Sequence, residues 1–159
     1  MNYHPVCKKI TDLLKSRKVG FETFEHEAVR TSEEAAKVRS GYSLAQGAKA
    51  LIVKVGSGND FAMLVVPGDR KFSNSLAKKA LGTSNLCFAT KAQVSELTGG
   101  VKLGGVPPFG NLFNLKVVAD PSLFDQEKII FNAGDRRFSV AMKSQDYRKL
   151  VNPEVVSII

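Results

Sequence analysis

Sulfur and imidazole ligands are scarce in this chain. Cys7 and Cys87 are its only thiols, and His4 and His26 its only histidines, among 159 residues. Two thiols far apart in a chain without an export signal read as reduced cytosolic residues, not as a disulfide framework. So few ligands cannot complete a structural zinc site, so no metal is expected. No apolar run approaches the roughly 18 residues that a bilayer span requires. The opening MNYHPVCKKI also lacks the apolar core of an export signal. A cytoplasmic protein with no membrane partner is the expectation.

Several motifs are missing as well. There is no GxGxxG after a strand, no GxxxxGK[ST], no HExxH and no GxSxG. No cofactor is therefore expected. His26 is followed by Glu27, but the second histidine of a zinc helix is absent. No local spacing supports a Ser/His/Asp triad. If the chain is an enzyme, it works by positioning and backbone donors more than by a conventional nucleophile.

What is present is basic and rich enough in apolar residues to fold. The chain is 43% hydrophobic, which fits one domain over residues 1–159 with a sizeable core. Lys and Arg number 23 against 15 Asp and Glu, a net charge of +8. That balance favours polyanionic partners, nucleic acid above all, through phosphate contacts and counterion release. The competing reading is a soluble basic protein with evenly spread charge. The cations come in small groups, such as Lys15-Ser16-Arg17-Lys18, Arg70-Lys71 and Arg136-Arg137, with no basic tail. Any basic patch must be assembled by folding.

Val6, Ile10, Leu13 and Leu14 fall on one face of a helix over residues 4–18, which Gly20 ends. FETFEHE alternates as a strand. Thr31 and Glu34 have capping-box spacing for a short helix from about Ser32 to Arg39. KALIVKV and FAMLVVP, joined by GSGND, read as a central hairpin. SNSLAKKALG reads as a helix with a glycine stop, LCFA as a short strand, and Thr90 with Gln93 as a second capping box. LKVVAD, KIIFNAG and RFSVAMK read as strands, and SQDYRKLV as a serine-capped helix closing the domain. This order mixes hairpins with crossovers. It predicts an α/β fold with a mixed, barrel-like β-sheet flanked by helices.

Four places could carry chemistry. Lys49 begins KALIVKV, and alternation puts it on one face with Leu51, Val53 and Val55. It either reaches water from the strand end or meets an anion. Lys54 shares the opposite face with Ala50 and Ile52, so alternation does not single Lys49 out. In LGGVPPFG, Gly104, Gly105 and Gly110 can turn N–H groups inward to bind an anion or developing oxyanion. Pro107 and Pro108 stiffen that loop. Phe109 then forms a wall or base-stacking face, or the loop is a wide turn with Phe109 in the core. Asn132 and Gly134 in NAGD suit a left-handed turn between two strands. Asp120 ends an apolar strand before a proline, where it caps the next segment, pairs with a lysine, or serves a site.

The series FEHEAVRTSEEAA, QGAKALIVK, VVPGDRK, ELTGGVKLGGVPPFG, VVADPSL and FNAGD resembles the YbaK/ProX-like prolyl-tRNA-editing domains. These are aminoacyl-tRNA deacylases, either free-standing or attached to synthetases. The resemblance runs from about residue 20 to 150, and GVPPFGNLF and FNAGDRRFSVAMKSQDY look closer to the free-standing members. It implies a barrel-like sheet with flanking helices, the YbaK/ProRS-associated domain fold. It puts Lys49 in the place of the family's essential lysine, which engages the terminal adenosine or its phosphate. Gly104, Gly105 and Pro108 match the family's GGxxPxG loop, and Asp120, Asn132, Ala133 and Gly134 match further pocket-lining positions. Phe24, His26, Val106, Pro107, Phe109 and Gly110 complete the substrate-binding set. Lys49, Gly105 and Gly134 are the catalytic candidates, with loop N–H groups polarising the ester carbonyl and the substrate's 2′-OH helping to activate water. Two positions depart from the family. Phe24 stands where some relatives have tyrosine, and Asp135-Arg136 follows Gly134 where several carry G-x-His.

The activity implied is trans-editing, the hydrolysis of mischarged tRNA carrying Ala, Ser, Thr or Cys. The implied partners are the aminoacyl-tRNA acceptor end and an aminoacyl-tRNA synthetase. The rival readings are a non-catalytic tRNA- or synthetase-binding regulatory domain and a small-molecule or protein-interaction module.

Overall fold

The computed structural model describes residues 2–28 and 41–159. The expected Thr31–Glu34 capping box and its helix lie outside the described residues. The first helix, α1, runs Pro5–Ser16 and buries Val6, Cys7, Ile10 and Leu14 on one stripe. His4 caps it, its Nδ1 accepting the Val6 N–H at 3.1 Å. The helix stops before Gly20 because Lys18 itself takes the left-handed conformation, at φ 56°.

Strand β1, Phe21–Glu25, is followed by the expected hairpin of β2, Ala48–Val55, and β3, Asp60–Pro67. Helix α2, Asn74–Leu81, starts on the Ser73 hydroxyl and ends at Gly82, where φ is 64°. Strand β4 is Leu86–Phe88. Helix α3, Lys91–Thr98, opens with the reciprocal Thr90–Gln93 capping box read from the sequence. Strand β5 is Lys116–Ala119, β6 is Lys128–Asp135 and β7 is Phe138–Lys143. Helix α4, Ser144–Val151, lacks the expected serine cap. Lys143 occupies the cap position, and the buried Ser144 hydroxyl donates instead to the Gln126 carbonyl. That helix does not close the domain, because β8, Glu154–Val155, pairs in parallel with β5 after it.

The strands form two sheets where one barrel-like sheet was expected. Sheet β1-β7-β6 is antiparallel, and β4-β2-β3-β5-β8 is mixed, with β3–β5 and β5–β8 parallel. A single parallel bridge, Gly47 to Ile130, joins their neighbouring edges, and the ladders do not close into a barrel.

The larger core gathers Ile10 and Leu14 of α1, Met63, Val65, Phe131, Val140 and Met142 of the sheets, and Tyr147 of α4. A second core covers the opposite face of the five-stranded sheet, where Val53, Leu64, Val66 and Val118 meet Ala77 and Ile158. Each fully buried aliphatic side chain contributes about 1.5–3 kcal/mol. The sheet that carries Lys49 is therefore covered on both faces and held firmly.

Candidate active site

Strand pairing places much of the expected site on one row. Lys49 pairs with Val66 across β2 and β3. Val65 pairs with Ala119, so the next rung sets Asp120 beside Val66. At the other edge, the Gly47–Ile130 register carried two residues further turns Lys49 toward Asn132. Asn132 pairs with Ser139, and Ser139 with Phe24. Paired residues project to the same face of a sheet. Phe24, Ser139, Asn132, Lys49, Val66 and Asp120 thus line up on the face away from the larger core.

Lys49 neither stretches into bulk water nor lies in the core. It is half-buried, and its Nζ donates to the Arg70 carbonyl at 3.0 Å. That bond ties QGAKAL to the VVPGDRK segment at one end of the sheet.

Asn132 joins this row to the glycine loop. Its Nδ2 donates to the Gly104 carbonyl at 2.6 Å, and its Oδ1 accepts from the Ser139 hydroxyl at 3.1 Å. Ser139 is fully buried, and its Oγ lies 2.8 Å from His26 Nε2. The other ring nitrogen, Nδ1, faces the Glu27 carbonyl at 2.8 Å and must carry a proton there, since a carbonyl only accepts. Ser139 thus lies between the His26 ring and the Asn132 amide, within hydrogen-bond distance of both. His26 and the loop are therefore coupled through a serine that sequence reasoning missed. Its one signal was a lone polar residue on the outward parity of RFSVAMK.

The loop divides into two halves. Leu103 and Gly104 are exposed, whereas residues 105–110 are buried. The Gly105 N–H donates to the Lys102 carbonyl at 2.9 Å and closes a turn, so it is not aimed at a ligand. The N–H groups of Gly104 and Val106, like those of Leu103, Phe109 and Gly110, donate to no described residue.

Phe109 is 0% exposed and packs against Phe131 and Tyr147, at centroid distances of 5.4 and 5.5 Å. A ring so placed is core, which corrects its reading as a base-stacking face. Tyr147 anchors the same half by donating its hydroxyl to the Pro108 carbonyl at 2.6 Å. A side chain at Gly110 would meet Val117 Cγ2 at 2.5 Å, so only glycine fits there. Pro107, Pro108, Phe109 and Gly110 secure the loop, while Gly104 reaches Asn132.

NAGD is the end of β6 rather than a turn, with a bulge between Asn132 and Asp135. Ala133 lies in the larger core, and Gly134 backs onto α1 at φ 117°, where a Cβ would meet Val6 at 3.0 Å. Asp135 receives the Arg137 Nε at 2.9 Å and Nη2 at 2.8 Å. The Arg137 side-chain hydrogen bonds hold its carboxyl down at about 2, against the opposing effect of burial.

Asp120 shares the row, yet its carboxylate is committed elsewhere. It is 2% exposed, caps the following 3-10 turn through the Ser122 N–H and hydroxyl, and accepts the Ile158 N–H at 2.8 Å. Burial pushes its pKa up, but the hydrogen bonds from Ser122, Ile158 and Ile159 outweigh that and leave it lowered. A surface hollow lined by Leu115, Val117, Val151 and Pro153 contains none of these residues. Among the described residues, no group of His, Cys, Asp and Glu could hold a metal ion, and no helix is long and apolar enough to cross a membrane.

Residues 26–150 match the aminoacyl-tRNA editing domain family. The chain is 38% identical over 153 residues to the Escherichia coli (strain K12) multifunctional Ser/Thr-tRNA deacylase ProXp-y, covering 94% of this chain and 90% of that one. It is 32% identical over 92 residues to the proline–tRNA ligase of Aquifex aeolicus, covering 57% of this chain but 14% of the ligase. A solved structure described as a candidate trans-editing enzyme for prolyl tRNA synthetase superposes with a TM-score of 0.83 at 27% identity, covering 99% of this chain and 98% of the other. With its motifs, its strand order and these matches in agreement, the chain belongs to the aminoacyl-tRNA editing domain family.

Proposed function

We propose that this chain is a trans-editing deacylase, which hydrolyses the ester of mischarged tRNA carrying a small amino acid such as Ala, Ser, Thr or Cys. The observation that carries this reading is the Asn132–Gly104 bond. It brings the exposed Gly104 end of the glycine loop to the row that contains Lys49. The near full-length likeness to a free-standing Ser/Thr-tRNA deacylase supports it.

An aminoacyl ester is already activated, so holding it beside a water supplies much of the acceleration. Lys49, positioned by the Arg70 carbonyl, engages the negatively charged 3′ end. The Gly104 and Val106 N–H groups polarise the ester carbonyl and stabilise the oxyanion that forms when water attacks. A preorganised donor of this kind contributes about 10²–10³ in rate. The substrate's ribose 2′-OH assists the attacking water. The tetrahedral intermediate then collapses, the C–O bond to the ribose breaks, and that ribose oxygen takes the proton given up by the attacking water. The products are free amino acid and uncharged tRNA. A small pocket rejects large side chains readily, but each methylene separates small ones by only about 1–3 kcal/mol.

The partner is the aminoacyl-tRNA acceptor end in the cytoplasm. A synthetase is a second partner, consistent with the related segments inside proline–tRNA ligases. Deacylation assays with a panel of mischarged tRNAs test the reading. Hydrolysis of at least one small-amino-acid ester is expected, with a large loss in Lys49→Ala. Salt-sensitive tRNA binding without turnover would favour the non-catalytic rival, and full activity in Lys49→Ala would remove the role given to that lysine.

A further inference from the structure

The two arginines of the β6–β7 turn are treated very differently by the fold. Arg137 is fully engaged: it holds Asp135 through two nitrogens, donates to the Asn2 carbonyl at 3.0 Å and lies over the Tyr3 ring at 5.3 Å. Arg136 makes no hydrogen bond and no ion pair with any described residue, and its neighbour Asp135 is already taken by Arg137. Its stem is nevertheless fixed. A Cβ placed on Gly104 would meet Arg136 Cδ at 3.4 Å and Cγ at 3.8 Å, and one on Gly105 would meet the Arg136 backbone nitrogen at 3.5 Å. The bare backbone of Gly104 is the surface on which the arginine stem lies.

A partly buried arginine whose stem lies along a loop, with no anion paired to it among the described residues, is prepared for an external one. Its five donors in a planar fork suit a phosphate or carboxylate. Here the ligand class can be narrowed by charge. Gly104 is the residue that Asn132 grips, so Arg136 lies beside the point where the ester is read to bind. In an aminoacyl ester the amino acid has no free carboxylate, and its ammonium group repels a guanidinium. The anions that this substrate can bring to the loop are backbone phosphates. Lys102, exposed on the same turn, adds a second cation to that side.

We propose that Arg136 is a binding residue for a backbone phosphate of the tRNA acceptor strand, seated by Gly104 at the mouth of the site. This rests on the deacylase reading for the position of the ester, but its test can be read separately. Equilibrium binding of uncharged tRNA is measured against salt concentration for the wild type, Arg136→Gln and Arg136→Lys. Each phosphate contact contributes about 0.7–0.9 to the slope of log affinity against log salt. Arg136→Gln should bind about tenfold more weakly at low salt, with its slope reduced by about that amount. Arg136→Lys should keep the slope and recover part of the affinity. With mischarged tRNA, KM should rise in Arg136→Gln while kcat is unchanged. An unchanged slope in Arg136→Gln, an equal loss in Arg136→Lys, or a fall in kcat with KM intact would overturn the assignment, as would absence of measurable tRNA binding by the wild type. A wild type that binds tRNA but cleaves no ester would remove the deacylase reading and leave the binding comparison to decide Arg136.

Discussion

The side-chain amide of Asn132 donates to the carbonyl oxygen of Gly104 at 2.6 Å. These residues lie in separate motifs, FNAGD and LGGVPPFG, and on separate elements, the end of β6 and the loop after α3. The bond makes them one structure. Only residues 105–110 of the loop are buried, so the Gly104 end owes its position to this contact and to the Arg136 stem beneath it.

Removing the amide should therefore loosen the loop more than the fold. Asn132→Ala deletes both the bond to Gly104 and the bond from the Ser139 hydroxyl, and is expected to cost about 1–3 kcal/mol in global stability by urea titration. Deacylation should suffer more than stability does, with kcat/KM falling at least tenfold, because the displaced group is a donor loop rather than core. Unaltered kcat/KM alongside the expected loss of stability would show that the Gly104 end does not touch the substrate.

Asp120 leads to a prediction of the opposite kind. Its carboxylate holds the Ile158 N–H and caps a 3-10 turn, and Ile158 is fully buried in the second core. Asp120→Ala leaves that buried N–H without its partner, and each such group costs about 1–3 kcal/mol. A drop in stability of about 2–4 kcal/mol is expected, since the cap is lost as well. Activity per folded molecule should remain within a few-fold of wild type at low temperature. A selective loss of kcat with stability preserved would restore Asp120 as a residue of the site.

The sequence was most legible where a signal is local. The Thr90–Gln93 capping box, the Gly82 stop of α2, and the β2–β3 hairpin depend on residues within a few positions of each other, and all stand as read. For Asp120 the sequence left a cap, a lysine pair and a site role open, and the structure shows the cap. What local pattern could not reveal was long-range. The choice between a stacking face and a core ring at Phe109 stayed open in the sequence, because nothing near it announces Phe131 and Tyr147. Ser144 has the composition of a cap but is drawn to the Gln126 carbonyl by the packing of α4. The β8 pairing and the burial of Ile158 were invisible because two residues of strand carry no periodicity. Among the candidate site residues, Lys49, Gly104 and Asn132 were named by the resemblance, while Ser139 emerged only from the pairing of β6 with β7 and β1.

Asp135 supplies a prediction in pH. The Arg137 side-chain hydrogen bonds lower its carboxyl from 3.8 to about 2 in the folded protein. A carboxyl depressed by folding stabilises the native state at pH values above its unfolded pKa, and that contribution is lost as pH falls through the folded value. The window therefore runs from about 4 down to about 2. Asp135→Asn keeps the shape and removes the charge, so it mimics the protonated group at every pH. At pH 6 the variant should be less stable than the wild type by chemical denaturation. The gap should narrow below pH 4 and be mostly gone at about pH 2, where folded wild-type Asp135 is about half protonated. A gap that stays constant from pH 6 to pH 2 would mean that the Arg137 pairing adds no charge-dependent stability, and that the β6–β7 turn is held in place by its backbone bonds alone.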